Sequence, residues 1–305
     1  MGEQVFDAQW IRNAAREAAE VIREQGLGGG AGLRSIDELP ATGEFGEEEA
    51  MEILGAWVAA ANRHHQFFTP GFIEGLMGGG DDDEDADLPP LELPSGEVVD
   101  GVGVVRVPGV KIPDAAAPDA RRYAHAFDEL LRDLDGTVDG WVFDFASCHT
   151  GGNVHPMLAG LAAVVGPGPV CGFQAADGTI SWVALTASDV TVDDDVSASI
   201  PNAATLPDKP IAVVMGQNTT SAGEFAVLGL RSKRGARLFG TDSAGYLTNV
   251  ELAPLPCGAD LGLTTATAVD ANGNQCGDHL VADEACDPAD LAPAIAWVRA
   301  AADSA

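Results

Sequence analysis

The chain has 305 residues, and 16 Lys+Arg against 47 Asp+Glu give it a formal net charge of −31. Such an excess of acid repels phosphate backbones and anionic headgroups, which excludes non-specific binding to nucleic acid or membrane surfaces. It does not signal disorder, because 46% of residues are hydrophobic and only 21% charged, a globular composition long enough for roughly two domains of ~150 residues.

In chain order, Phe6, Trp10, Ile11, Ala14, Ala18, Val21 and Ile22 recur at helical spacing, which predicts an amphipathic helix over 6–25 that the glycines of 26–32 then stop. The Gly26-x-Gly28 run follows a helix and precedes no strand, so it is not a dinucleotide-binding loop. Met51, Leu54, Trp57 and Val58 mark a second helix over 47–65. These two make a helical N-terminal subdomain, residues 1–77. Three glycines and the acidic run of 81–87 follow. The run lacks the alternating ligands, Gly and Glu of a calcium loop, so 78–100 reads as an acidic linker.

From Gly101 strands and helices alternate. Strands are expected at 101–108, 141–145, 180–185, 211–215, 236–240, 246–252 and 263–269, and helices at 119–134, 156–165, 221–231 and 288–302. The pattern predicts an α/β core with a largely buried sheet over 101–305. No apolar run reaches ~18 residues, so no membrane insertion is expected. The start Met1-Gly2-Glu3-Gln4 has no basic or apolar leader features, which favours the cytoplasm and leaves export open. Five cysteines (Cys148, Cys171, Cys257, Cys276, Cys286) show no C-x-x-C spacing. They read as free thiols, with one disulfide among the last three as the alternative, and no metal or cofactor is expected.

Two segments carry chemistry. In Pro210–Phe225 an apolar strand runs into Asn218-Thr219-Thr220-Ser221-Ala222-Gly223-Glu224. A serine at a helix N-terminus meets unpaired N–H groups and a partial positive charge that stabilise a developing anion. Ser with Glu three residues on is equally a capping box, and both readings fit. In Asp144-Phe145-Ala146-Ser147-Cys148-His149-Thr150-Gly151-Gly152-Asn153 a strand ends in a glycine pair. That pair either points N–H groups at an oxyanion or makes an ordinary tight turn.

Together these segments resemble the tail-specific, or C-terminal-processing, serine peptidases, a family whose relatives include the tricorn core protease and interphotoreceptor retinoid-binding protein. Its patterns are D-L-R-x-N-x-G-G after one strand and N-x-x-T-A-S-A-G-E after a later one. The motifs at 103–109, 156–166, 240–245 and 281–283 echo it further, so the resemblance covers roughly residues 100–302. It implies a crotonase-like repeated ββα core, an acyl-enzyme on Ser221, and an oxyanion hole from Ala222 with Gly151 or Gly152.

Members with a Ser–Lys dyad place lysine about 25 residues after the serine, where this chain has Tyr246. Lys233 lies in a basic helix end (Arg231, Lys233, Arg234), where complementing the helix dipole suffices. Tricorn-like members use a histidine in D-x-H-S, and Asn62-Arg63-His64-His65 stands there, so the resemblance implies His64 as base. His149, in the altered first motif, is the reserve base. Asp278 is the acid implied to orient the histidine. The expected partner is a peptide or protein substrate, and residues 78–100 are too few for an inserted PDZ module. The rival reading is a catalytically decayed member that binds a peptide or apolar ligand.

Overall fold

Helical spacing near the N-terminus is realised as written. The computed structural model describes residues 4–73, 91–112 and 114–304, so the acidic run of 81–87 lies outside the described residues. Strand β1 (Val5–Asp7) leads into α1 (Ala8–Gln25), whose N-terminus is capped by the Asp7 carboxylate accepting from Trp10 N–H. The helix stops at Gly26, where a Cβ would stand 2.6 Å from the Ile22 carbonyl oxygen. Strand β2 (Glu44–Gly46) pairs antiparallel with β1 and opens α2 (Glu47–Ala59), which carries three glutamates in its positive first turn. The helix ends well short of residue 65, where the periodicity had placed its end. The Asn62 side chain accepts the His64 backbone N–H and turns the chain. Strand β3 (Gln66–Phe68) follows.

The core elements are β4 (Ser95–Val99), β5 (Val102–Arg106), α3 (Pro118–Asp135), β6 (Gly140–Asp144), α4 (Val154–Val165), β7 (Gly168–Ala175), β8 (Ile180–Leu185), β9 (Asp189–Val192) and β10 (Asp195–Ser199). They continue with β11 (Ile211–Met215), α5 (Ala222–Arg234), β12 (Arg237–Gly240), β13 (Thr248–Pro254), β14 (Asp260–Asp270), β15 (Glu284–Ala285) and α6 (Ala292–Ala302). Strand β4 falls inside the stretch expected to be linker. Its pairing with β5, from Ser95 opposite Arg106 to Val99 opposite Val102, orders that end of it.

The chain divides into two compact units. One joins the N-terminal segment to Ala175–Thr179 and Thr248–Ala266; the other holds the rest of the described chain from residue 91. In the first, β14 pairs with β3, and the helices bury Ile11, Ile22, Leu54 and Trp57 with Leu255, Leu261 and Leu263. In the second, a sheet in the order β15-β12-β11-β6-β5-β4 is parallel except for the β4–β5 pair. Period-two alternation splits its residues between two cores. Ile211, Val213 and Met215 face the cluster built with Tyr123, Phe127 and Leu158, while Ala212 and Val214 face Ala294 and Val298 of α6. Strands buried on both faces explain the uninterrupted apolar runs in the sequence. Strands β7, β8, β9 and β10 form an antiparallel meander. All five cysteines are free thiols. Among the described residues no helix is long and apolar enough to cross a membrane.

Candidate active site

The C-terminal ends of β6 and β11 are adjacent in register, Val214 opposite Asp144, so the loops that leave them meet. Ser221 stands in the second loop as the residue before α5, half-buried, with φ 45° and ψ −109°. An ordinary N-cap sits in the extended region, as Asp7 and Asn153 do here. A serine at positive φ costs of order 1–3 kcal/mol and persists only where its surroundings over-determine it. The same sharp strand-to-helix elbow exposes the nucleophile in unrelated hydrolases.

What over-determines it is a lock between the two loops. The Thr150 hydroxyl accepts the Thr220 N–H at 3.0 Å and donates to the Asn218 carbonyl at 3.2 Å. Gly223 N–H donates to the Thr150 carbonyl, and Thr150 N–H to that of Asn218. Asn218 Nδ2 donates to the Ala146 carbonyl and the Thr219 hydroxyl to that of Phe145. Gly223 is obligatory, because a Cβ there would lie 1.8 Å from Thr150 Oγ1.

The glycine pair turns out to be partly a packing requirement. A Cβ on Gly152, at φ 121°, would sit 2.1 Å from the Val110 carbonyl oxygen, and one on Gly151 would sit 2.8 Å from Thr220 Oγ1. Gly151 N–H donates to His149 Nδ1 at 3.3 Å. Among the described residues, no such acceptor takes the N–H of Gly152 or of Ala222. The Asp144 carboxylate caps the loop start by accepting from Ala146 and Ser147. An open cavity of about 530 Å³ adjoins the loop, lined by Val110, Lys111, Ile112 and residues 152–155.

Behind Ser221, the carboxylate of Glu224 is fully buried at 0% exposure. Oε2 accepts Ser221 N–H and Tyr246 N–H, both at 2.8 Å. Oε1 accepts the Ser243 hydroxyl at 2.5 Å and Gly245 N–H at 3.0 Å. The capping-box glutamate expected from the sequence therefore also gathers a second turn. Ser243, expected as a plain turn residue, is buried and in addition takes the Leu280 N–H on its hydroxyl.

His64 and His65 belong to the other unit and are 6% and 3% exposed. His65 Nδ1 accepts the Thr264 N–H, and burial beside His64 lowers the His65 pKa to about 4, so this ring is neutral. His149 is exposed. Asp278 is exposed too, and its carbonyl accepts Leu247 N–H. Lys233 lies in the last turn of α5 with Nζ on the Pro167 carbonyl. Twelve helical residues separate it from Ser221 by about 18 Å, beyond proton-transfer reach. Sequence reasoning missed Thr150 altogether. Its pairing with Gly223, where a Cβ would meet the Thr150 side chain, is visible only once the loops meet.

Comparison with known proteins finds the same fold elsewhere. The fold is similar to a lipoprotein from Streptococcus agalactiae, 18% identical, covering 95% of this chain and 96% of that one with a TM-score of 0.67. It is also similar to the photosystem II D1 C-terminal processing protease, 14% identical, covering 96% and 97% with a TM-score of 0.59. A protein from Parabacteroides merdae ATCC 43184 has a TM-score of 0.60 at 15% identity, covering 96% and 98%. In sequence, 124 residues are 27% identical to the nisin-resistance protein of Lactococcus lactis subsp. lactis, 41% of this chain and 39% of that relative. The match thus spans about two-fifths of the curated relative's length. The sequence profile of peptidase family S41 matches residues 101–283, more than half of the chain and both loops of the lock. The chain belongs to peptidase family S41, the tail-specific, C-terminal-processing serine peptidases.

Proposed function

We propose that the protein is a working serine peptidase that cleaves peptides or proteins through an acyl-enzyme on Ser221. The observation that carries this is the backbone of Ser221, held at φ 45° beside an Ala222 N–H that no acceptor takes among the described residues, at the start of α5. A cap alone needs neither feature. In the reaction Ser221 Oγ attacks the scissile carbonyl, a histidine takes its proton and returns it to the leaving amine, and water then hydrolyses the ester. Ala222 N–H and a glycine N–H hold the oxyanion. Gly152 suits that role better than Gly151, whose N–H must first leave His149. While His149 Nδ1 accepts that bond its other nitrogen carries the proton, which favours His64 as the base. Asp278 is proposed as the acid that orients it. One relative is named for nisin resistance and another for D1 processing, and peptide is accordingly the substrate class assigned here.

The core is read as a crotonase-like ββα arrangement, with 1–77 as a helical subdomain and 78–100 as the connection between them, its end taken up by β4. Limited proteolysis that cuts first within 78–100 supports that division, and first cuts elsewhere count against it. A catalytically silent binder is the second reading, favoured by Tyr246 in place of lysine and by the occupied Gly151 N–H. A fluorophosphonate probe separates the two. Labelling of the wild type that disappears in Ser221→Ala and falls at least about 10³-fold in His64→Ala supports the peptidase. A wild type that does not label supports the binder, and loss with His149→Ala but not His64→Ala moves the base to His149.

A further inference from the structure

We propose that Glu224 is a positioning residue of this site, its buried carboxylate holding the Ser221 elbow and the 243–246 turn in one register. The proposal rests on Ser221 being the nucleophile. A capping box accounts for one of the four bonds, the one from Ser221 N–H. The other three donors come from Ser243, Gly245 and Tyr246, a different loop, and no helix cap calls for them.

All four groups donate. Three are backbone N–H, and the Ser243 hydroxyl has its acceptor side taken by Leu280 N–H. The group facing them must accept on both oxygens, which a carboxylate does and an amide cannot. Four donors also meet the desolvation cost of a charge with no exposure. Through Ser243 the connection runs on to Leu280, whose carbonyl accepts the Ser243 N–H in return. Displacement of the carboxylate therefore releases the strained Ser221 backbone and the turn beside it together. A shift of about 1 Å in a nucleophile costs on the order of a hundredfold in rate.

The test compares wild type, Glu224→Gln, Ser243→Ala and Val298→Ala, the last a destabilising control in the separate core against α6. The readouts are the fluorophosphonate labelling rate, backbone amide exchange and thermal unfolding. Glu224→Gln is expected to unfold cooperatively, label about a hundredfold more slowly, and lose protection at Ser221, Gly245 and Tyr246 together. Ser243→Ala removes one donor and is expected to slow labelling several-fold, while Val298→Ala, though less stable, labels at the wild-type rate. A Glu224→Gln rate within twofold of wild type overturns the proposal, as does an equal slowing in Val298→Ala. If Glu224→Gln does not fold, Ser243→Ala decides, and an unchanged rate there overturns it. Wild type that fails to label overturns the peptidase reading and this role with it, whereas a labelled wild type with an unaffected Glu224→Gln overturns this role alone.

Discussion

The corner that holds Ser221 and the corner that holds His65 are both buried polar turns at the end of a secondary-structure element, yet they are built on opposite principles. Around Ser221 the hydroxyls of Thr150, Thr219 and Ser243 and the carboxylate of Glu224 are each bonded to backbone of another loop. Around His65, the indole Nε1 of Trp57, the Nε2 of His65 and the hydroxyl of Thr264 are buried with no hydrogen-bond partner among the described residues. A fully satisfied network pins one geometry, while unpartnered groups cost stability and leave polar contacts open. The difference separates a site that fixes a backbone from one that keeps side-chain nitrogen available.

Four substitutions and one change of pH break or sharpen that contrast. Gly223→Ala should have the largest effect, about 3 kcal/mol of destabilisation by urea unfolding, because its Cβ collides with Thr150. Next is acid. The folded His65 pKa of about 4 lies below the unfolded 6.5, so the unfolded chain binds the proton first. Stability is then full above pH 6.5 and falls by up to about 3 kcal/mol as pH drops to 4, and His65→Gln should flatten the urea midpoint across that window. Thr150→Val strands the Thr220 N–H and should cost about 2 kcal/mol, whereas the same change at Thr264 removes an unpartnered hydroxyl and should stabilise by about 1 kcal/mol. Equal effects of the two Thr→Val changes in thermal unfolding would erase the contrast.

Much of the fold was legible because burial on both faces leaves apolar runs, as in Ile211–Met215, and because one-sided burial leaves helical spacing, as in α1. Short partners were not legible. Strands β1, β2 and β3 are three residues each, too brief to show a period, and β4 is exposed along most of its length. The end of α2 was misplaced because the apolar stripe stops at Val58 and does not mark the turn at Asn62, whose side chain accepts the His64 N–H and whose carbonyl accepts the His65 N–H. At the candidate site, the turn of Ser221 into a helix and the glycines beside it were readable from a local motif. Thr150 and the wider grip of Glu224 were not, since their partners lie 70 and 22 residues away in the chain.

The return of the chain from the second unit to the first has a consequence for how the protein is made. The faces of α1 and α2 are closed by Leu255, Ala259, Leu261 and Leu263. A ribosome adds about 5–20 residues per second. The first helix to emerge therefore waits on the order of ten seconds or more, covered only in part by Leu54, Trp57 and Phe67, for the strand that completes its core. During that interval the N-terminal segment is an open client for chaperones and proteases, and a truncation anywhere before residue 248 leaves it in that state permanently.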